Sequence, residues 1–436
     1  MAGAERPRVV IVGAGFGGLA AANALRRAPV DVTIIDRHNY HLFQPLLYQV
    51  ATGLLDPSEI AAPICTIMRR ARNVDVVLAD VRGVDFDSHR LTTSEGRFGY
   101  DYLVLATGSV TDFHGNENVR AHSFGLKSLE EATLLRAHLL RCFERAAACA
   151  DPATRRRYLT FAVVGAGPTG VEYSGAAAEL ITHVLRKDYR SIDFTEVSVL
   201  LIEGGEHVLA GYTPRLERSA QRTLERKGVR ILLRHPVRDV VDGDLVLDDG
   251  TRIAAETILW TAGVRGDAPG QPLPPARTRA GRLKVTDALH LPDHPDVFVI
   301  GDVSENAAPD GPLPMVAQVA IQGGRHAAAV IKARLRGGPD PVFHYHDKGT
   351  MATIGRGRAV AMIGPLKLSG FPAWVIWLFV HLLYLVGYRS RFIALVSWGW
   401  NFFFLTRPVR LIIGGDGVPS HDQLNQENAH GTTPPR

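Results

Sequence analysis

Val9-Val10-Ile11-Val12-Gly13-Ala14-Gly15-Phe16-Gly17-Gly18 and, 152 positions later, Phe161-Ala162-Val163-Val164-Gly165-Ala166-Gly167-Pro168-Thr169-Gly170 repeat one pattern. In each, an apolar run of strand length turns at a glycine into small and apolar residues that suit a helix. The first glycine makes the turn, the second lets the backbone approach a pyrophosphate, and the third lets helix pack on strand. A diphosphate then sits on free N–H groups at the positive end of a helix dipole. One such string is weak evidence, because small residues recur in tight turns. Two copies a domain's length apart predict an α/β chain with two Rossmann-type dinucleotide-binding domains, and two different dinucleotides. The chemistry is redox.

The residues beyond each loop sort the ligands. After the first, a helix from Leu19 to Arg27 leads to the strand Val32-Thr33-Ile34-Ile35 and Asp36, 23 positions beyond Gly13. That is close to the ~20 at which a carboxylate meets the ribose hydroxyls. After the second, the strand from Val197 to Ile202 ends in Glu203, 38 positions beyond Gly165, with the polar stretch Arg186 to Asp193 reading as an insertion. A carboxylate repels a 2′-phosphate, and Gly204-Gly205-Glu206 supplies no arginine to receive one, so the second site reads as NADH rather than NADPH. The alternative is that Asp36 and Glu203 are ordinary solvated strand ends.

A third segment, Asp296-Val297-Phe298-Val299-Ile300-Gly301-Asp302, is an apolar strand closed by Gly-Asp, which alone is only a turn. Behind two Rossmann units it resembles the flavin-contacting segment of two-dinucleotide flavoproteins, which implies that Asp302 holds the ribityl chain. Leu105-Ala106-Thr107-Gly108 and Trp260-Thr261-Ala262-Gly263 resemble the strand ends that close the same folds. The resulting assignment puts FAD on Gly13, Gly15, Gly17, Gly18, Asp36, Thr107, Gly108 and Asp302. NADH falls to Gly165, Gly167, Gly170, Glu172, Glu203 and Gly263.

The 436 residues suffice for two or three domains with sizeable cores. A net charge of +5 without a basic run argues against nucleic acid. The chain reaches its first strand within a few residues, which leaves no room for a signal peptide. Cys65, Cys142 and Cys149 make no C-x-x-C or metal spacing, so no metal is expected and a reducing, cytoplasmic setting fits. Related disulfide reductases carry a C-x4-C pair where this chain has the sulfur-free His41 to Gln49. Electrons leaving a flavin must therefore go to an acceptor that docks directly.

Along the chain, residues 1–115 and 285–340 are expected to form the FAD domain and 116–284 the NADH domain with a connecting helix. Residues 341–413 form a C-terminal anchoring region and 414–436 a disordered tail. A hairpin is expected between Val76 and Leu91. Ser128-Leu129-Glu130-Glu131 is a capping box opening a long helix toward Ala150, which Asp151-Pro152 breaks. Thr213-Pro214 and Gly228 bound another helix, and Leu245 to Gly250 reads as a hairpin. Ala268 to Arg282 reads as a surface loop.

Near the C-terminus, Trp374 to Val386 and Phe392 to Leu405 are apolar nearly all round. Both are shorter than the ~20 residues a membrane span needs. They are rich in aromatics and flanked by Arg389, Arg391, Arg407 and Arg410, which suits two helices lying in one leaflet. The competing reading is a dimer interface or a buried core helix.

Taken together, the chain resembles the type II NADH:quinone oxidoreductases over nearly all its length. The specific segments are Asn39 to Gly53, Phe124 to Ala132, Ala317-Gln318-Val319-Ala320-Ile321-Gln322 and Met351 to Gly355, with the aromatic C-terminal helices. Many members carry glutamate where this chain has Asp36. The resemblance implies a single-subunit, non-proton-pumping enzyme that passes hydride from NADH to non-covalent FAD and electrons on to ubiquinone or menaquinone. It implies that Gln318 and Gln322 lie beside the flavin and line the quinone tunnel, with Tyr384 at the quinone and Gln44 at the flavin. Gln318 and Gln322, four apart, share a helix face; a solvated face is the plain alternative. Glu172 is a candidate for balancing protons as quinone becomes quinol, or a first-turn glutamate favoured by the dipole. The expected location is peripheral, on the cytoplasmic face of the cell membrane, with a homodimer possible. Alternatives are a sulfide:quinone oxidoreductase, disfavoured by the missing cysteines, and a flavoprotein that senses NADH by binding.

Overall fold

The computed structural model describes residues 6–269, 278, 280–306, 311–404 and 410–412. It divides into two compact units. The first comprises residues 1–42, 61–110 and 264–348, and the second 43–60, 111–263 and 349–436. The expected C-terminal region thus divides, 341–348 lying with the first unit and 349 onward with the second.

The first unit is built on a five-stranded sheet in the spatial order Val297–Val299, Tyr102–Leu105, Arg8–Val12, Asp31–Asp36, Val74–Leu78. Every pairing is parallel. Strands covered on both faces read as near-continuous β-branched runs, and Val9, Ile11, Ile34 and Val104 accordingly lie in one apolar core. The helix Phe16–Leu25 packs closely on the helix Ala317–Arg334. Glycine makes the approach possible: a Cβ on Gly324 would stand 2.2 Å from the Gly17 carbonyl oxygen. The expected hairpin is Val81–Asp85 against Arg90–Thr93, while Val74–Leu78 joins the parallel sheet.

In the second unit, Val229–Leu233, Ser198–Glu203, Thr160–Val164 and Thr257–Trp260 form a four-stranded parallel sheet in that order. The helix Leu129–Ala148 begins in the expected capping box, with Ser128 accepting the Glu131 N–H and Glu131 accepting the Ser128 N–H. The helix Pro214–Arg226 starts at its proline, and Gly228 follows it with φ +85°. Two antiparallel strands, Asp244–Leu247 and Arg252–Ala254, make the second hairpin. Part of the supposed insertion is helical: Pro168–Leu180 runs on through a π turn, Ile181–Leu185, into Arg186–Asp188. An apolar helix can absorb an extra residue in such a bulge.

Still within this unit, the three-stranded sheet Thr350–Thr353, Ala359–Ile363, Leu366–Gly370 carries the first C-terminal helix, Phe371–Tyr384, and the second, Tyr388–Phe404, comes after it. No helix among the described residues is long and apolar enough to cross a membrane. Most of Ala268 to Arg282, Leu405, Arg407 and the tail from residue 413 lie outside the described residues.

Candidate functional sites of the two units

The two glycine loops have nearly superimposable local chemistry. Gly13 and Gly165 take φ +97° and +101°, and a Cβ on either would stand 2.4 or 2.7 Å from backbone of the neighbouring strand end, Ala106 or Ala262. Gly15 and Gly167, by contrast, face open space, with nothing within 4 Å of an added Cβ. Gly18 and Gly170 press on their own loops: a Cβ would lie 1.8 or 1.9 Å from the carbonyl oxygen of Gly13 or Gly165. Turn, approach and packing are therefore divided among the glycines as their spacing predicts. Gly17 serves packing, its missing Cβ lying 3.1 Å from Ile300 and 3.2 Å from the Ala320 carbonyl oxygen.

Each loop is also locked by its strand-end carboxylate. Asp36 accepts the Ala14 N–H at 2.6 Å and the His38 N–H at 2.8 Å. Glu203 accepts the Ala166 N–H at 2.6 Å and the Gly205 N–H at 2.8 Å. Neither is a merely solvated strand end. A carboxylate accepting backbone amides on one side is oriented, and its remaining lone pairs suit ribose hydroxyls.

In the first unit, Asp302 lies in the 3-10 turn Gly301–Val303 after its strand and accepts the Ser109 hydroxyl at 2.6 Å. Thr107 Oγ1 is buried without a hydrogen-bond partner, and Gly108, at φ +79°, has open space where a side chain would stand. An orphaned hydroxyl beside two open glycines fits a polar group brought by a ligand, and these residues fit FAD. His41, which the sequence did not single out, is buried with Nδ1 2.9 Å from the Ala14 carbonyl oxygen and its ring edge-on to Phe16. Burial holds its pKa below the ordinary histidine value, so the ring is neutral beside the loop.

Gln318 and Gln322 share the helix Ala317–Arg334, and both bind backbone of the segment 344–348. Gln318 Oε1 accepts the Lys348 N–H at 3.2 Å. Gln322 makes a two-bond clasp on His346, donating to its carbonyl at 2.9 Å and accepting its N–H at 3.0 Å. Gln322 is thus a strap holding that segment in place. Gln44 belongs to the second unit, where Nε2 donates to the Lys127 carbonyl at 3.0 Å.

In the second unit, Gly263 is packed against the His114 ring, 2.9 Å from where a Cβ would stand. Glu172, on the helix after the second loop, turns away from solvent and is 9% exposed. Its Oε1 accepts the Thr353 N–H at 3.2 Å. Desolvation pushes its pKa up to about 8, against smaller opposing pulls from the Thr353 amide and the Trp377 indole. A carboxyl of that kind is a neutral acid at pH 7 and can give or take a proton near it. Glu172 lies beyond the first turn of its helix, Pro168–Leu180, so it is not the first-turn, dipole-favoured glutamate of the alternative reading.

Trp377 stacks on His381 at 4.0 Å and lies 5.8 Å from Trp398. Burial drives the His381 pKa down to about 4, so it too is neutral. Trp398 donates to Gln49 Oε1 and Ser397 to Glu59 Oε1, each at 2.8 Å. Tyr384 ends the first C-terminal helix and is 40% exposed. The opposite faces of both helices are bare: Phe379, Tyr388, Phe392, Trp400, Phe403 and Phe404 are each more than half exposed. The flanking arginines are less uniform than their spacing suggests. Arg391 donates to the Leu383 and Leu385 carbonyls at 2.7 Å and so caps the first helix. Arg410 pairs with Asp188, and Arg389 is exposed.

Residues 7–324 match the family described as pyridine nucleotide-disulphide oxidoreductase. The type II NADH:quinone oxidoreductase Ndh of Mycobacterium tuberculosis is 43% identical over 97% of this chain and 93% of its own. Its NdhA, also described as a type II NADH:quinone oxidoreductase, is 42% identical over 91% and 87%. A solved structure of NDH2 from Plasmodium falciparum in complex with NADH shares the fold, with a TM-score of 0.85 at 19% identity, covering 94% of this chain and 100% of that one.

Proposed function

The chain belongs to the pyridine nucleotide-disulphide oxidoreductases and, among them, to the type II NADH:quinone oxidoreductases, and we propose that it oxidises NADH and reduces quinone at a membrane surface. The observation that carries this is the pair of glycine loops, each locked by a strand-end carboxylate. FAD, when bound, would supply the two-electron chemistry that links NADH to quinone.

The first unit would hold FAD non-covalently: Gly15 would admit the diphosphate, Asp36 would accept from ribose, and Thr107 and Asp302 would meet the polar chain of the cofactor. The second unit holds NADH on the Gly167 backbone and Glu203, whose charge repels a 2′-phosphate. Gln318 presents its amide to the quinone side, and Gln322 keeps the 344–348 segment in place through His346. Glu172, with its pKa pushed up to about 8, supplies a proton in the low-dielectric interior, where quinone needs two to become quinol.

The two C-terminal helices lie in the interface of a bilayer. Phe379, Tyr388, Phe392, Trp400, Phe403 and Phe404 are each more than half exposed, a grouping that marks an interaction surface, while Trp377 and Trp398 are buried. This puts the enzyme where a quinone confined to lipid can reach it; we place that surface on the cytoplasmic side, where NADH is made. The dimer reading of the same face predicts a concentration-dependent oligomer in detergent. Steady-state NADH oxidation with a soluble short-chain quinone, recorded with the flavin spectrum of the purified protein, tests the assignment. A protein without flavin, or one that binds NADH without turnover, would overturn it.

A further inference from the structure

The second sheet brings an arginine to Glu203 that no stretch of local sequence contains. Ser198–Glu203 and Val229–Leu233 pair in parallel with Glu203 opposite Leu233, so residues 204–206 and 234–235 leave the same edge side by side. This is the carboxyl end of a parallel sheet, where ligands of such folds bind. Two backbone bonds zip the segments together: the Arg234 N–H donates to the Gly205 carbonyl at 2.9 Å and the His235 N–H to the Glu203 carbonyl at 3.0 Å. Arg234 holds φ +61°, a left-handed conformation uncommon for a residue with a side chain. Its guanidinium reaches Glu206 at 2.9 Å.

A cation therefore leaves the strand end next to that of Glu203, and it is neutralised by the next acid along, Glu206. His207 lies 4.0 Å from that same Glu206, and His235 turns to Asp249 at 3.6 Å, which leaves Arg234 as the permanent charge of the group. The Arg234 and Glu206 side chains are 73% and 62% exposed. The Glu206 charge offsets the guanidinium and repels a phosphate dianion; without it, the dianion has a bidentate fit to the arginine.

We propose that Glu206 and Arg234, together with Glu203, set the preference of this site for a 2′-hydroxyl: Glu206 withholds the Arg234 guanidinium, and removing the two carboxylates converts Arg234 into a receptor for the 2′-phosphate of NADPH. The inference rests on the reading of this site as that of NADH. It adds that the residue able to reverse the preference is already present, in the register-matched neighbouring strand end.

The test compares the unmodified protein with Glu203→Gln, Glu203→Gln/Glu206→Gln, and the double variant carrying Arg234→Ala or Arg234→Lys. Two ratios are read: kcat/KM for NADPH over NADH, and calorimetric affinity for 2′,5′-ADP over 5′-AMP, which needs no turnover. The double variant should raise both ratios roughly tenfold or more over Glu203→Gln alone, with a gain that shrinks as salt rises. Arg234→Ala should take most of that gain back, and Arg234→Lys should keep part of it. If the gain survives Arg234→Ala, or if Glu206→Gln adds nothing to Glu203→Gln, the assignment is overturned. An unmodified protein using NADH and NADPH equally would instead overturn the NADH reading, which the ratios across variants do not depend on.

Discussion

Trp398 of the second C-terminal helix donates its indole N–H to Gln49 Oε1 at 2.8 Å, in the buried interior of the second unit. The bond ties this aromatic helix to the segment 43–60, and Ser397 with Glu59 repeats the attachment one residue earlier. Replacing Trp398 with Phe leaves the Gln49 carbonyl oxygen buried and unpaired, at a cost of about 1–3 kcal/mol. Thermal unfolding should fall by several degrees, and proteolysis should reach the C-terminal helices sooner. Unchanged melting and proteolysis would mean that the helices are held by packing alone.

Gly15 and Gly18 are three residues apart and should fail differently. An alanine at 18 places its Cβ 1.8 Å from the Gly13 carbonyl oxygen, which breaks the helix-to-strand packing. An alanine at 15 meets no protein atom within 4 Å and obstructs only an arriving diphosphate. Gly15→Ala should therefore fold, keep its circular dichroism and lose most of its flavin, whereas Gly18→Ala should express poorly. Full flavin content in Gly15→Ala would refute the placement of the diphosphate.

Glu172 makes a signed prediction about pH. Its folded pKa, about 8, is raised above the ordinary value of 4.5, so the proton it holds when folded stabilises the protein fully below pH 4.5. That contribution declines as pH rises and is gone above about 8, a loss of up to roughly 5 kcal/mol. Glu172→Gln lacks the titration. The melting temperature of the variant minus that of the unmodified protein should grow from pH 5 to 8 and then level off. In parallel, reoxidation of the flavin by quinone should lose its break near pH 8. A pH-independent difference would show that the carboxyl ionises normally.

Much of this fold is local and was legible for that reason. A strand, a glycine turn and a helix occupy adjacent residues, so Gly13 to Gly18 and Gly165 to Gly170 announce their roles in order, as do Ser128 with Glu131 and Thr213 with Pro214. The features hidden from the sequence depend on pairings between distant segments. Nothing near Gly204 suggests an arginine, because Arg234 arrives through the register of a neighbouring strand. The burial of Glu172 depends on Thr353, 181 positions away. Arg391 reads as a lipid-facing charge until the end of the preceding helix turns two carbonyls toward it. The glutamine pair sits on one helix as expected, yet the backbone that Gln322 clasps comes from a segment without periodic signal.

That division between the glutamines can be measured. Gln322→Leu removes both bonds to His346 and should lower stability as well as activity. Gln318→Leu removes the longer bond to Lys348, at 3.2 Å, and should leave the fold nearly unchanged. In stopped-flow records Gln318→Leu should slow flavin reoxidation by quinone while reduction by NADH stays fast. The reverse pattern would assign Gln318 to the NADH half-reaction.

The membrane reading cannot be tested cleanly by deleting the C-terminal helices, because Ala373, Trp377 and Trp398 are part of the packed interior. Removal from Pro372 onward would expose the sheet Thr350–Gly370 and the neighbourhood of Glu172, mixing loss of anchor with loss of fold. Substitutions on the bare face avoid this. Phe379, Phe392 and Phe403 are 62%, 68% and 76% exposed, so changing them to Ser gives up little burial in the folded protein. The same changes remove three of the large apolar side chains that the two helices offer for insertion among lipid headgroups, where burial stabilises by about 25 cal/mol per Å². The triple variant should melt within a few degrees of the unmodified protein, stop sedimenting with vesicles and lose turnover with long-tailed quinone. Its NADH–ferricyanide activity should persist, since that acceptor reaches the flavin from water. If the variant still sediments with vesicles while a dimer of the unmodified protein falls apart, the face is a protein interface and the anchor lies elsewhere.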